Sequence, residues 1–153
     1  MQKIIPNLWF AGNAKEAVDF YTSVFQDSKI ISTANYPEEG LADFQKDFAG
    51  KVLTVDFELQ GQRFTAINAG NEFKFTEAVS FAVFCKDQTE IDYYWSKLSA
   101  VPESEQCGWC KDKYGLSWQI VPENMEELMK KPGGFEILMN QHKIIIAEYE
   151  GKK

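Results

Sequence analysis

Asn13-Ala-Lys-Glu-Ala-Val-Asp-Phe-Tyr-Thr-Ser-Val24 aligns without a gap on Asp87-Gln-Thr-Glu-Ile-Asp-Tyr-Tyr-Trp-Ser-Lys-Leu98. Each stretch opens on a short polar residue that can cap a helix, and each carries Glu three positions on, at Glu16 and Glu90. Ala17, Tyr21, Val24 and Phe25 then recur at helical spacing in the first, and Ile91, Tyr94, Trp95 and Leu98 in the second. Any pair of amphipathic helices can share this pattern. The order of the flanking segments, repeated around both, favours an internal duplication.

Upstream of the first helix, residues 3–10 (KIIPNLWF) read as a strand, and residues 29–36 (KIISTANY) follow it as another. Residues 37–50 carry Pro, Gly, Asp and Glu and read as an exposed excursion, either a lid or a dimer-contact loop. Lys51–Leu59 alternates, with Leu53, Val55, Phe57 and Leu59 on one side and Thr54, Asp56 and Glu58 on the other. Gln60-Gly61-Gln62 turns the chain back into Arg63–Asn68, a hairpin partner.

The second helix follows the apolar strand Ala78–Cys85. Two short strands are expected within 101–114, then a turn at Asp112–Gly115 and a last strand at Leu116–Val121. The predicted fold class is α+β: two βαβββ modules, residues 1–73 and 74–122, with a C-terminal helical extension over 123–153, forming one compact domain. Helices are expected at Glu123–Lys130 and Phe135–Glu148, on either side of Lys131-Pro-Gly-Gly134. Each module buries one sheet face under its helix, and the opposite faces are expected to enclose a cleft.

The chain has 153 residues, 44% of them hydrophobic, which suits a packed core. A net charge of −7 disfavours nucleic acid and anionic membrane surfaces as partners. No segment approaches the roughly 20 apolar residues of a membrane span. The N-terminus lacks a signal-peptide pattern, and there are only three cysteines. Both point to a reducing cytoplasm.

Three segments carry a family resemblance: Asn7-Leu-Trp-Phe10 with Asn13 to Phe25; Glu58-Leu-Gln-Gly-Gln-Arg-Phe64; and Cys107-Gly-Trp109 with Lys111-Asp-Lys-Tyr-Gly-Leu-Ser-Trp-Gln-Ile120. Together they resemble the PhnB-like branch of the vicinal-oxygen-chelate superfamily, which includes the glyoxalase and bleomycin-resistance proteins. The resemblance covers residues 1–123 and implies the duplicated fold, a central cleft and a homodimer. The branch is often labelled a 3-demethylubiquinone-9 3-methyltransferase domain. This chain shows no Gly-rich strand–turn–helix crevice for a methyl donor, so the label is read here as a name for a fold.

Metal-dependent relatives of the fold hold one divalent ion with His or Glu from strands of both modules. Carried over, those positions fall on Pro6 or Asn7, on Ser80 or Phe81, on Gln119, and on a hairpin residue among Asp56, Glu58 and Asn68. Pro and Phe cannot ligate, and neutral amides and hydroxyls are weak ligands for a divalent ion. No catalytic metal and no other cofactor are expected. His142, the single histidine, lies in the tail.

Cys107-Gly-Trp-Cys110 has CxxC spacing, but without the helix N-terminus that activates such a thiol. Two reduced, partly buried cysteines are the plainer reading. Cys85 reads as a core residue, and Arg63 as a surface residue able to contact an anion. The candidate ligand-binding residues are Asn7, Trp9, Asp56, Asn68, Phe81, Trp109, Trp118 and Gln119, with Asp56 the one candidate for a catalytic base. Three functions stay open: a metal-free receptor for a small apolar or aromatic molecule, an enzyme using a cleft carboxylate, and a structural dimer without ligand.

Overall fold

A computed structural model describes residues 2–151. The chain divides into two compact units, Met1–Lys74 and Phe75–Lys153.

The first unit holds β1 (Asn7–Ala11), α1 (Ala14–Val24), β2 (Ser28–Asn35), β3 (Val52–Leu59) and β4 (Gln62–Ala69). Its sheet runs β1-β4-β3-β2. β1 pairs with β4 in parallel, Asn7 opposite Thr65, and the other pairs are antiparallel. The predicted alternation of β3 holds from Thr54 onward: Val55, Phe57 and Leu59 are buried, while Thr54, Asp56 and Glu58 are half-buried. Leu53, expected on the buried side, is only half-buried, beside the register shift that leaves Val52 opposite Asn35 and Thr54 opposite Ala34. The buried residues meet the apolar stripe of α1, where Tyr21 stacks on Phe57 at 6.4 Å and Phe57 on Phe64 at 5.4 Å. Truncating such a ring costs about 3–5 kcal/mol, so this stack anchors the helix to the sheet.

Gln60 and Gly61 both adopt left-handed backbone, with φ of 51° and 80°. Two positive φ values in a two-residue loop match the twist of the hairpin they join.

The start of α1 departs from the expectation. The Asn13 side chain makes no capping bond. Asn68 of β4 supplies it instead: its Oδ1 accepts the Ala14 N–H at 3.1 Å, and its Nδ2 donates to the Val52 carbonyl at 2.9 Å. α2 (Gln88–Leu98) follows the rule, since Asp87 Oδ1 accepts the Glu90 N–H at 2.9 Å. Ile91 and Leu98 are buried in α2, but Tyr94 and Trp95 are only half-buried.

The second unit has a smaller sheet. β5 (Ser80–Cys85), β6 (Trp109–Lys111) and β7 (Ser117–Pro122) are ordered β5-β7-β6. Among the described residues this unit has three strands, not the four expected. A 3-10 turn at Pro102–Ser104 and a single bridge between Gln106 and Trp109 stand where the other strand was predicted. Pro102 removes a backbone donor there, which favours a turn over a ladder. The C-terminal extension is also more broken than expected, into α3 (Met125–Met129), α4 (Gly134–Asn140) and α5 (Ile146–Tyr149). Leu128, Ile144 and Tyr149 bury together beneath it. Among the described residues no helix is long and apolar enough to cross a membrane.

Candidate functional site

Strand alternation sorts the eight candidate residues into three groups. Asn7, Trp9 and Asp56 lie on the face of the first sheet away from α1. Trp109 and Gln119 lie together on one face of the second sheet, where they pair across β6 and β7. Asn68, Phe81 and Trp118 belong to the interior faces. Asn68 caps α1, as described, and Phe81 packs on Trp118 at 5.9 Å. Trp118 is 3% exposed and donates its indole N–H to Asp112.

On the open face of the first sheet, the carboxylate of Asp56 is closely held. Thr65 Oγ1 donates to its Oδ1 at 2.6 Å, and Arg63 Nη2 and Ser32 Oγ donate to its Oδ2 at 3.2 and 3.3 Å. The Thr65 hydrogen bond is the largest influence holding this carboxyl below its usual range; burial opposes it, and Ser32 and the charged Arg63 add to it. A carboxylate stabilised in this way is a weak base near neutral pH, which counts against the catalytic role considered for it. Arg63, expected at the surface, is half-buried in this cluster.

Beside that face lies a pocket of about 470 Å³. Trp9, Tyr36, Phe44, Phe48 and Phe73 give it aromatic walls, with Leu53 and Ile67 between them and Glu72 among its lining residues. The rings are held by their neighbours. Trp9 meets Phe73 edge-on at 4.8 Å, and Tyr36 stacks on Phe48 at 5.2 Å. The polar ends of two rings are already paired with backbone: the Trp9 indole N–H donates to the Gly70 carbonyl at 2.8 Å, and the Tyr36 hydroxyl to the Asn68 carbonyl at 2.7 Å. Phe44 and Phe73 are 78% and 63% exposed. Such exposure is unusual for Phe, and it coincides here with the pocket.

Of this wall, sequence reasoning singled out Trp9 alone. The 3-10 helix Asp43–Phe48 inside the expected excursion supplies Phe44 and Phe48. The available signal was Tyr36, Phe44 and Phe48 within a loop otherwise rich in Pro, Gly and acidic residues. Aromatics without helical or strand periodicity, in a segment too polar to form a core, are candidates for a pocket wall.

The second unit has its own pocket, of about 650 Å³, with Trp109, Cys107, Cys110 and Met139 in its lining. The Lys111–Glu77 ion pair also lines it. Ser117 lines it as well; its Oγ is buried and finds no hydrogen-bond partner. The cysteines do not form a thioredoxin-like site. Cys107 and Gly108, with φ of 55° and 85°, form a two-residue turn between Gln106 and Trp109. Cys110 lies on β6, where burial first, and then Asp112 and Glu105, push its thiol up to about 12. Burial likewise pushes the Cys85 thiol up to about 12. Both are therefore protonated and unreactive near neutrality.

The positions that the resemblance aligns with metal ligands each make contacts within their own unit. Gln119 Nε2 donates to Ser80 Oγ at 2.9 Å. Asn7 donates to the Ile5 carbonyl at 2.9 Å, Asn68 is engaged at the helix, and Asp56 is held by its three donors. Among the described residues no group of three or more His, Cys, Asp or Glu side chains is placed to hold a metal ion. His142 instead places Nδ1 2.6 Å from the Glu105 carbonyl.

Comparison with known proteins fits this architecture. A family model described as 3-demethylubiquinone-9 3-methyltransferase matches residues 2–121. The solved structure of a PhnB protein from Bacillus cereus, described as a putative 3-demethylubiquinone-9 3-methyltransferase, is 38% identical, covers 79% of this chain and 99% of its own, and aligns with a TM-score of 0.63. Protein PA1353 from Pseudomonas aeruginosa shares the fold at 14% identity and a TM-score of 0.59, over 80% of this chain and 98% of its own. No curated protein matches. The matched span takes in α1, α2 and the Asp112–Gly115 turn that leads into β7, and the chain belongs to the 3-demethylubiquinone-9 3-methyltransferase domain family, the PhnB-like branch of the vicinal-oxygen-chelate superfamily.

Proposed function

We propose that this protein is a metal-free receptor for a small, mainly aromatic molecule, seated in the pocket of the first unit. The observation that carries the reading is the aromatic wall itself. Trp9, Tyr36, Phe44, Phe48 and Phe73 surround a space of about 470 Å³, a usual volume for small-molecule sites. Two of these rings have their polar ends bonded to backbone, so their contribution to a ligand is apolar contact. The enzymatic alternative has less support, because its candidate base, Asp56, is held as a stabilised carboxylate. The metal-free part of the reading rests on donors already engaged with one another, Gln119 with Ser80 above all.

Thermal-shift screening of planar aromatic compounds tests the proposal. A ligand at a hundred times its dissociation constant adds about 2.7 kcal/mol to the folded state, enough to raise the melting temperature by several degrees. The shift should fall strongly in Trp9→Ala and Phe48→Ala, each compared with its own ligand-free melting point. Shifts that both variants retain in full would place the ligand elsewhere and overturn the reading.

A further inference from the structure

Resting on the reading of the first-unit pocket as a ligand site, we infer that its ligand carries a positive charge: an aromatic or apolar body bearing an alkylated ammonium group. Five of the lining residues are aromatic, Trp9, Tyr36, Phe44, Phe48 and Phe73, and Phe44 and Phe73 are largely exposed; the open face of such a ring carries the negative side of its quadrupole and attracts a cation placed against it. Glu72 is the one charged side chain in the lining, and among the described residues no Lys, Arg or His joins it there. Its charge reaches the wall. The Tyr36 hydroxyl is raised above its ordinary 10.0 by burial first and by Glu72 second.

The distribution of donors argues the same way. An anion needs N–H or O–H groups aimed at it, but the Trp9 indole and the Tyr36 hydroxyl already donate to Gly70 and Asn68. That leaves the Gln45 carboxamide as the remaining side-chain donor type in the lining. A cation meets a carboxylate and ring faces and needs no donor. A neutral aromatic would gain the apolar contact but not the attraction to Glu72.

A matched pair of probes separates these cases: (3-hydroxyphenyl)trimethylammonium and its uncharged isostere 3-tert-butylphenol. Both are titrated into the protein by calorimetry at slightly acidic pH. The Trp9 indole N–H resonance, assigned with Trp9→Phe, reports where each binds. The expected result is roughly fivefold or greater preference for the cation. In Glu72→Gln that preference should shrink while the affinity for the phenol holds. Glu72 is exposed, so this variant should fold, and circular dichroism verifies that it does. Equal or weaker binding of the cation, with both probes moving the Trp9 resonance, overturns the charge inference and leaves the receptor reading intact. An undiminished preference in Glu72→Gln overturns the part assigned to Glu72. Failure of both probes to move the resonance overturns the inference and the receptor reading together.

Discussion

The carboxylate of Asp112 accepts the indole N–H of Trp118 at 2.9 Å, and both residues are buried. The other carboxylate oxygen accepts the backbone N–H groups of Tyr114 and Leu116 at 2.8 and 3.1 Å. One side chain thus closes the Asp112–Gly115 turn and fixes the ring that follows on β7. Gly115 permits this, because its φ of 89° lies in the region that side chains disfavour. The Asp-x-x-Gly-x-x-Trp spacing is the covalent record of that arrangement.

Replacing Asp112 with Ala strands three donors at once. The expected cost is about 3 kcal/mol or more, read as a lower urea midpoint. Asp112→Asn should fall between Ala and wild type, since an amide N–H cannot accept from the indole. An Ala variant within about 1 kcal/mol of wild type would falsify the keystone role.

Asn13 and Asn68 offer a paired test of how α1 is capped. Asn13→Ala should change stability by less than about 0.5 kcal/mol, because its side chain makes no capping bond. Asn68→Ala removes the acceptor for Ala14 and the donor to Val52, and should cost about 2–3 kcal/mol. The opposite ranking in chemical denaturation would contradict the capping described.

Asp56 sets a pH dependence on the acid side. Its carboxyl is held below the ordinary 3.8 in the fold. A depressed value means that the ionised form stabilises the folded state above the unfolded value, and that this contribution is lost as pH falls through the folded one. Near neutrality Asp56→Asn should cost about 1 kcal/mol, a modest figure because the cluster is partly solvated. The deficit against wild type should close as pH drops below 3.8. A deficit that stays constant from neutral to strongly acidic solution would show that charge plays no part.

How far the sequence could be read depended on whether local patterning or distant contacts decided each feature. Phe57 and its alternating neighbours marked β3 because period-two burial leaves its trace in consecutive residues. The turn at Gln60-Gly61 was readable from its glycine. The turn at Cys107-Gly108 has the same left-handed pair but hid behind the CxxC spacing, since cysteine seldom occupies such a backbone. Asn68 was read as a ligand contact because its partner, Ala14, lies far away along the chain. Trp9, named from the sequence as a candidate pocket wall, is among the lining residues; Phe44 and Phe73 were not named, because exposed rings between the strands follow no strand or helix period.

The parallel pairing of β1 with β4 has a kinetic corollary. β2, β3 and β4 join neighbours along the chain, whereas Asn7 reaches Thr65 only after everything between them has been laid down. Closing so long a loop carries the largest entropic penalty in this sheet and rewards late docking. The strand bearing Trp9 is therefore expected to dock last, so that this side of the aromatic pocket is completed only as the sheet closes.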